Sequence, residues 1–338
     1  MKTYRFDHLT SLDDLAQHDE PVPTPQRGEV LIRVHSVSLN YRDLSVVLGN
    51  YVHAVTPGLV PCSDAAGEVV AVGEAVTAWK PGDRVMSTFH PRWFGGRPHR
   101  SMGSEVYGSH QDGWLTEYKL CSQEALVAVP AGMSFEDAST LPCAGLTAWT
   151  SLSGNPPIRA GQTVLTLGTG GVSVFAVQLA KLLGATVIAT TSSTRKGEVL
   201  KALGADHVVN YAEIADWGAH VKKQITGGLG VDCVVEVGGA GTINQSLTAV
   251  RWGGEVVLVG FLSSDNPGMD YFQLKGSGAT VRAIGVGDRA GLEDLARVVA
   301  GGRLKPVIDK VFPFGEAKAA FEHLKAARHI GKIVISTS

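Results

Sequence analysis

Thr163-Val164-Leu165-Thr166-Leu167, running straight into Gly168-Thr169-Gly170-Gly171-Val172-Ser173, is the stretch on which the reading of this chain turns. The first five residues make a short apolar strand, and the glycines lead into an apolar helix over Val174 to Leu183. That wiring holds a dinucleotide pyrophosphate and implies a nucleotide-dependent enzyme. Gly168 permits the tight turn, and Gly170 lets backbone N–H groups approach phosphate oxygens. The helix N-terminus brings its partial positive charge to the same point, with Thr169, Gly171 and Val172 completing the loop. Gly184 can end the helix in a left-handed turn, and Thr186 to Ala189 supplies the next strand. Ser173 replaces the usual third glycine, a small residue that close helix-to-strand packing tolerates. An ordinary glycine-rich turn is the plainer alternative, and the flanking strands and helix weigh against it.

The end of the second strand sets coenzyme choice. Enzymes that use NAD commonly place an Asp or Glu there, against the ribose hydroxyls. This chain has Thr190-Thr191-Ser192-Ser193-Thr194-Arg195-Lys196 instead. A carboxylate would repel a 2′-phosphate, whereas Ser192 can donate a hydrogen bond and Arg195 or Lys196 a charge-assisted one. NADPH is therefore expected over NADH.

With 338 residues the chain has room for two domains, and its formal net charge of −2 comes from scattered rather than clustered basic residues. Neither nucleic acid nor a membrane is expected as a partner. The segment Met1 to His8 lacks the apolar core of a signal peptide, so a cytoplasmic location is expected. Cys62, Cys121, Cys143 and Cys233 are widely spaced and form no C-x-x-C pair, against both a disulfide framework and a structural zinc lobe.

The first third reads as short strands broken by turns, at Glu29 to Val34, Glu68 to Val72 and the Pro81-Gly82-Asp83-Arg84-Val85 turn. From Thr163 the rhythm becomes strand, helix, strand, the pattern of a doubly wound parallel sheet in an α/β fold. Its later strands are expected at His207 to Asn210, Asp232 to Glu236, Glu255 to Val259 and Ala279 to Ile284. The tail, with strands at Val307 to Phe312 and Lys332 to Ile335, most simply returns to complete the first domain. Residues 1–144 and 300–338 thus form a β-rich domain, and residues 145–299 a coenzyme-binding domain.

The order of motifs resembles the medium-chain dehydrogenase/reductase superfamily, over nearly the whole chain. The carriers are Gly28-Glu29-Val30-Leu31-Ile32-Arg33-Val34, Asn40-Tyr41-Arg42-Asp43, Ala66 to Gly73, Gly82-Asp83-Arg84-Val85, Leu141 to Trp149, the glycine loop, Ala202 to Tyr211 and Gly331-Lys332-Ile333-Val334. Within it the chain looks like the zinc-independent quinone oxidoreductase branch. That resemblance implies a GroES-like catalytic domain, a Rossmann coenzyme domain and homodimers joined through the coenzyme-domain sheet. Zinc-dependent members bind the catalytic metal through Cys, His and Cys, and Asn40, Ser63 and Cys143 stand at the matching positions. One thiolate beside an amide and a hydroxyl is a poor zinc shell, even with Asp64 adjacent, so no zinc is expected.

Without a metal, quinones and α,β-unsaturated carbonyls are the suitable acceptors, because conjugation delocalises the incoming charge. The resemblance places Asn40, Ser63, Asp64 and Tyr51 near the nicotinamide, and Asn40 or Ser63 could donate to the substrate oxygen. It also implies coenzyme contacts from Thr147, Tyr211, Val237, Gly238, Gly260, Phe261, Leu262 and Lys332. The loop from Ser87 to Trp114, rich in aromatic residues, is expected to shape the substrate mouth. A zinc-free NADP-dependent alcohol or aldehyde oxidoreductase is the nearest rival, and an NADPH-binding protein with little turnover is the rival from another class.

Overall fold

The computed structural model describes residues 1–51, 55–99, 105–154, 156–263 and 268–337. It resolves into two compact units, Met1–Leu146 with Gly287–Ser338, and Thr147–Val286. The return to the first unit thus comes at Gly287, earlier than residue 300. The helix Arg289–Val299 buries Leu292, Leu295 and Val299 within the first unit, against the strand Leu126–Ala128 and the turn around Gly145.

The second unit is a six-stranded, wholly parallel sheet. Its spatial order is His207–Asn210, Thr186–Thr191, Thr163–Leu167, Val231–Glu236, Val250–Leu258, Thr280–Ala283. The direction of winding reverses between Thr163–Leu167 and Val231–Glu236, the topological switch point where doubly wound sheets take up ligands beyond the carboxyl ends of their strands. Val164, Leu165, Val187, Val234, Val235, Val256 and Val257 are fully buried or nearly so, as strands covered on both faces require. The helix Gly171–Leu182 lays Val174, Phe175, Val177 and Leu179 onto the sheet.

The first unit is built on a mixed sheet in the order Ile308–Pro313, Lys332–Ser336, Glu29–Leu39, Asp64–Val72, Arg84–Ser87, Leu126–Ala128, with Tyr118–Ser122 also paired to Glu29–Leu39. The returning strand runs antiparallel to Glu29–Leu39 with Ile333 opposite Leu39, which sets Lys332 beside Asn40. Phe6 and Phe321, both fully buried, meet edge to face at 5.7 Å in the core of this unit. Trp114 and Tyr107 are core residues too, stacked edge-on at 5.5 Å, so these two aromatics of the Ser87-to-Trp114 loop do not form a substrate mouth. Arg100 of the same loop lies outside the described residues. No described helix is long and apolar enough to cross a membrane.

Candidate active site

Apart from Thr147, the expected coenzyme contacts of the second unit lie along the carboxyl edge of its sheet, because each follows a strand. Gly168 takes a left-handed φ of +73° and its N–H donates to Thr190 O at 2.9 Å, which turns the chain sharply off the strand. Gly170 is exposed at the helix N-terminus, and a Cβ placed there would meet nothing within 4 Å. The space above it is open to a phosphate, and the first-turn N–H groups of Gly171 and Val172 face no intrahelical acceptor. Ser173 explains its own tolerance at the third glycine position. Its hydroxyl is buried and donates to Leu167 O at 2.6 Å, pinning the helix to the strand end.

Ser192 is exposed just past the end of Thr186–Thr191, and Ser193 caps the following helix by accepting from Lys196 N. Arg195 is exposed and Lys196 partly so, in the first turn of that helix. Tyr211 follows His207–Asn210, with its N–H on Thr191 O. Thr147 is buried in the helix Leu146–Leu152, its carbonyl accepting from Ser151 Oγ. Two loops press together beyond the ends of Val231–Glu236 and Val250–Leu258: a Cβ on Gly260 would come within 2.4 Å of Val237 O, and one on Gly239 within 2.9 Å of Phe261 Cα. Phe261 and Leu262 stay largely exposed beside them.

Glu236 organises that loop, a role not assigned to it from the sequence. Its buried carboxylate accepts from Gly238 N at 2.7 Å, Gly239 N at 3.0 Å, Thr242 Oγ1 at 2.5 Å and Ser246 Oγ. An acidic residue at a strand end, followed by glycines and then by hydroxyls at 242 and 246, is the signal that could have revealed it.

Asn40, Ser63, Asp64, Cys143 and Lys332 converge in the first unit. Asn40 ends Glu29–Leu39 and opens the helix Tyr41–Val47, where Asp43 Oδ2 accepts from Asn40 N at 2.9 Å. Asp64 is completely buried. Its Oδ1 accepts from Ser63 Oγ at 2.6 Å and its Oδ2 from Cys143 N at 3.0 Å. Burial raises the Asp64 pKa, against the opposing pull of the Lys332 ammonium, Ser63, Asn40 and the Cys143 amide. Burial likewise lifts Asp43 to about 6, with Arg42 opposing, and pushes the Cys143 thiol well above its ordinary range, helped by Asp64. Tyr51 joins the cluster through Arg42, whose guanidinium carbon lies 5.3 Å from the Tyr51 ring centroid.

Lys332 is 97% buried, its relative exposure being 3%, and its ammonium donates to Leu39 O and to Asn40 Oδ1, each at 2.5 Å. This donor set does not fit zinc. The Asn40 oxygen is already taken by a cation, and the Ser63 hydroxyl and the Cys143 amide occupy both Asp64 oxygens. Among the described residues no group of three or more His, Cys, Asp or Glu side chains could hold a metal.

Residues 26–131 match the alcohol dehydrogenase GroES-like domain family, and residues 171–301 the zinc-binding dehydrogenase family. A zinc-type alcohol dehydrogenase-like protein of Schizosaccharomyces pombe is 37% identical over 336 residues, 97% of each chain. An acryloyl-coenzyme A reductase of Metallosphaera sedula is 30% identical over 328 residues, 93% of this chain and 94% of the relative. A crystal structure described as an alcohol dehydrogenase from Sinorhizobium meliloti superposes with a TM-score of 0.90 at 40% identity, covering 99% of this chain and 98% of that one.

Proposed function

The chain belongs to the medium-chain dehydrogenase/reductase superfamily and is an NAD(P)-dependent oxidoreductase, and from that premise we propose that it is a zinc-independent, NADPH-dependent reductase of quinones or α,β-unsaturated carbonyls, of the quinone oxidoreductase-like branch. One observation carries the reading. Where zinc-dependent members are expected to place metal ligands, this chain sets an ammonium on Asn40 Oδ1 and engages both Asp64 oxygens with its own donors. The bound reduced nicotinamide supplies a hydride. The residues of the first unit then have to hold the acceptor and stabilise charge growing on its oxygen, which a conjugated acceptor spreads over several atoms. The acryloyl-coenzyme A reductase among the relatives acts, by its name, on a conjugated acyl group, which agrees with this class of acceptor.

Parallel assays with NADPH and NADH on benzoquinone, cyclohexenone and simple aldehydes test the proposal. Loss of NADPH absorbance with the first two supports it. Gain of absorbance only with NADP and primary alcohols would move the chain to the alcohol-oxidising class, and inertness toward the whole panel to a binding role.

For the coenzyme, Ser192, Arg195 and Lys196 supply the 2′-phosphate contacts. Lys196→Glu should weaken NADPH binding by about 10- to 150-fold, equivalent to ~1.5–3 kcal/mol, and leave NADH binding nearly unchanged. Isothermal titration checks this, and unaltered NADPH affinity would take Lys196 out of the phosphate site. For assembly we hold to a homodimer through the coenzyme-domain sheet. Its outer strand Thr280–Ala283 and the exposed rings of Trp252, Tyr271 and Phe272 support this, and light scattering tests it.

A further inference from the structure

We infer that Lys332 is a positioning residue for the reduction, acting through Asn40 to aim and polarise a single N–H donor at the acceptor oxygen. The inference rests on the reductase reading and says which group of this chain takes over the task of a metal.

The amide of Asn40 can face its surroundings in two ways. An ammonium only donates, so the atom 2.5 Å from Lys332 Nζ has to be the amide oxygen. Lys332 cannot swing away easily, since a second bond ties it to Leu39 O and the strand Lys332–Ser336 is paired in register with Glu29–Leu39. With Oδ1 locked, Nδ2 is forced to the opposite side. There it is buried and meets no acceptor in good hydrogen-bond geometry, acting on the Asp64 carboxylate only as a loose donor. Asn40 itself is 91% buried, its relative exposure being 9%.

A buried amide N–H without a partner costs about 1–3 kcal/mol, so a folded chain that keeps one needs a reason for it. A ligand oxygen satisfies it. The ammonium behind the amide draws electron density toward Oδ1, which makes the Nδ2 hydrogens better donors, and the effect grows as the acceptor oxygen gains charge. In the reduction of an enone, hydride adds to the β carbon, the π pair of the C=C bond shifts toward the carbonyl, and an enolate oxygen results. Asn40 Nδ2 would hold that oxygen until the α carbon takes a proton from water. For a quinone the same donor would hold the hydroquinone monoanion. Asp64 and Asp43 supply the negative charge facing the buried ammonium, and Arg42 pairs with Asp43.

The test uses the full chain loaded with NADPH, and the variants Lys332→Met, Lys332→Arg, Asn40→Ala and the double variant of Lys332→Met with Asn40→Ala. Lys332→Met should lower kcat for cyclohexenone by about 100-fold, the scale of losing one oxyanion donor, while the NADPH Kd stays within about twofold. Lys332→Arg should recover most of the loss, and the double variant should be no slower than the worse single one. A second readout needs no turnover: para-nitrophenol bound to the NADP-loaded chain should be held as the yellow phenolate in the unaltered protein, and neither in Lys332→Met nor in Asn40→Ala. An unchanged kcat in Lys332→Met, fully additive losses, or a rise in NADPH Kd that matches the fall in kcat would overturn the assignment, the last by making Lys332 a coenzyme contact. If Lys332→Met fails to fold, Lys332→Arg and Asn40→Ala decide by the phenolate band, and its persistence in Asn40→Ala refutes the role. If the unaltered protein oxidises alcohols and leaves enones and quinones untouched, the reductase reading fails, while the phenolate measurement still judges Lys332.

Discussion

Replacing Glu236 with alanine should destabilise the coenzyme-binding unit by about 3–5 kcal/mol and abolish tight coenzyme binding. Four donors converge on this buried carboxylate: the N–H groups of Gly238 and Gly239 and the hydroxyls of Thr242 and Ser246. The hydroxyls can turn elsewhere, but the two backbone N–H groups cannot. Without the acid, the Val237–Gly239 turn has nothing to close it against the loop at Gly260, where backbone atoms approach too tightly for any side chain. Glu236→Gln tests the charge separately. It keeps the shape but turns an NH2 toward groups that themselves donate, so it should recover only part of the loss. Urea denaturation of the three proteins reads the effect. A midpoint for Glu236→Ala within the error of the unaltered chain would mean that the turn is held by packing alone.

A loss of similar size, about 3–5 kcal/mol, is expected for Asp64→Ala. The completely buried carboxylate is the common acceptor for Ser63 Oγ and Cys143 N, and it is the charge facing the Lys332 ammonium. Removing it leaves a buried cation with a poorer counter-charge and the turn Leu141–Gly145 without its anchor on the strand Asp64–Val72. Asp64→Asn retains an oxygen for the Cys143 amide and should cost about 1–2 kcal/mol. Because burial raises the Asp64 pKa, a role as proton donor could be imagined, but both oxygens already accept bonds within the protein. Stability, rather than a titrating rate, is the expected readout. If Asp64→Ala unfolds at the same urea concentration as the unaltered chain, the carboxylate is not the brace described here.

Much of the coenzyme-binding unit was legible because local pattern and tertiary environment agree there. Thr163–Leu167 and His207–Asn210 have the bounds expected from apolar runs closed by glycine or turn residues. The strand Val250–Leu258 starts earlier than expected. The structure carries Gly253 and Gly254 within the strand, across an irregular pairing with Val231–Glu236. Glu29–Leu39 runs past Val34 for a related reason. Ser36 and Ser38 break the apolar alternation, yet both are buried, Ser36 against the Ser139 hydroxyl at 3.2 Å. Residues 215–224 hold a short helix, Trp217–His220, followed by a wider turn, Val221–Ile225.

The polar cluster was legible in its residue types and not in its wiring. Asn40, Ser63 and Asp64 could be named from motif positions, but only the antiparallel pairing of Lys332–Ser336 with Glu29–Leu39 puts Lys332 on Asn40. Strand partners separated by nearly the whole chain leave no periodic trace in the sequence. The coenzyme contact expected of Lys332 came from the resemblance alone and carried no hint of its bond to Asn40. The aromatic residues between Ser87 and Trp114 taught the same lesson in reverse. A glycine-rich, loop-like segment carries Tyr107 and Trp114 into the core of its own unit, and composition alone cannot distinguish a ring that lines a surface from one that fills an interior.

The central claim is that hydride passes from NADPH to a conjugated acceptor with no metal at Asn40, Ser63 and Cys143. The most direct measurement is metal content and turnover on the same sample, before and after dialysis against a strong chelator. Zinc far below one atom per chain, with benzoquinone or cyclohexenone reduction by NADPH undiminished after dialysis, is the expected result. About one tightly held zinc per chain, lost together with turnover and restored with it on adding the metal back, would contradict the claim.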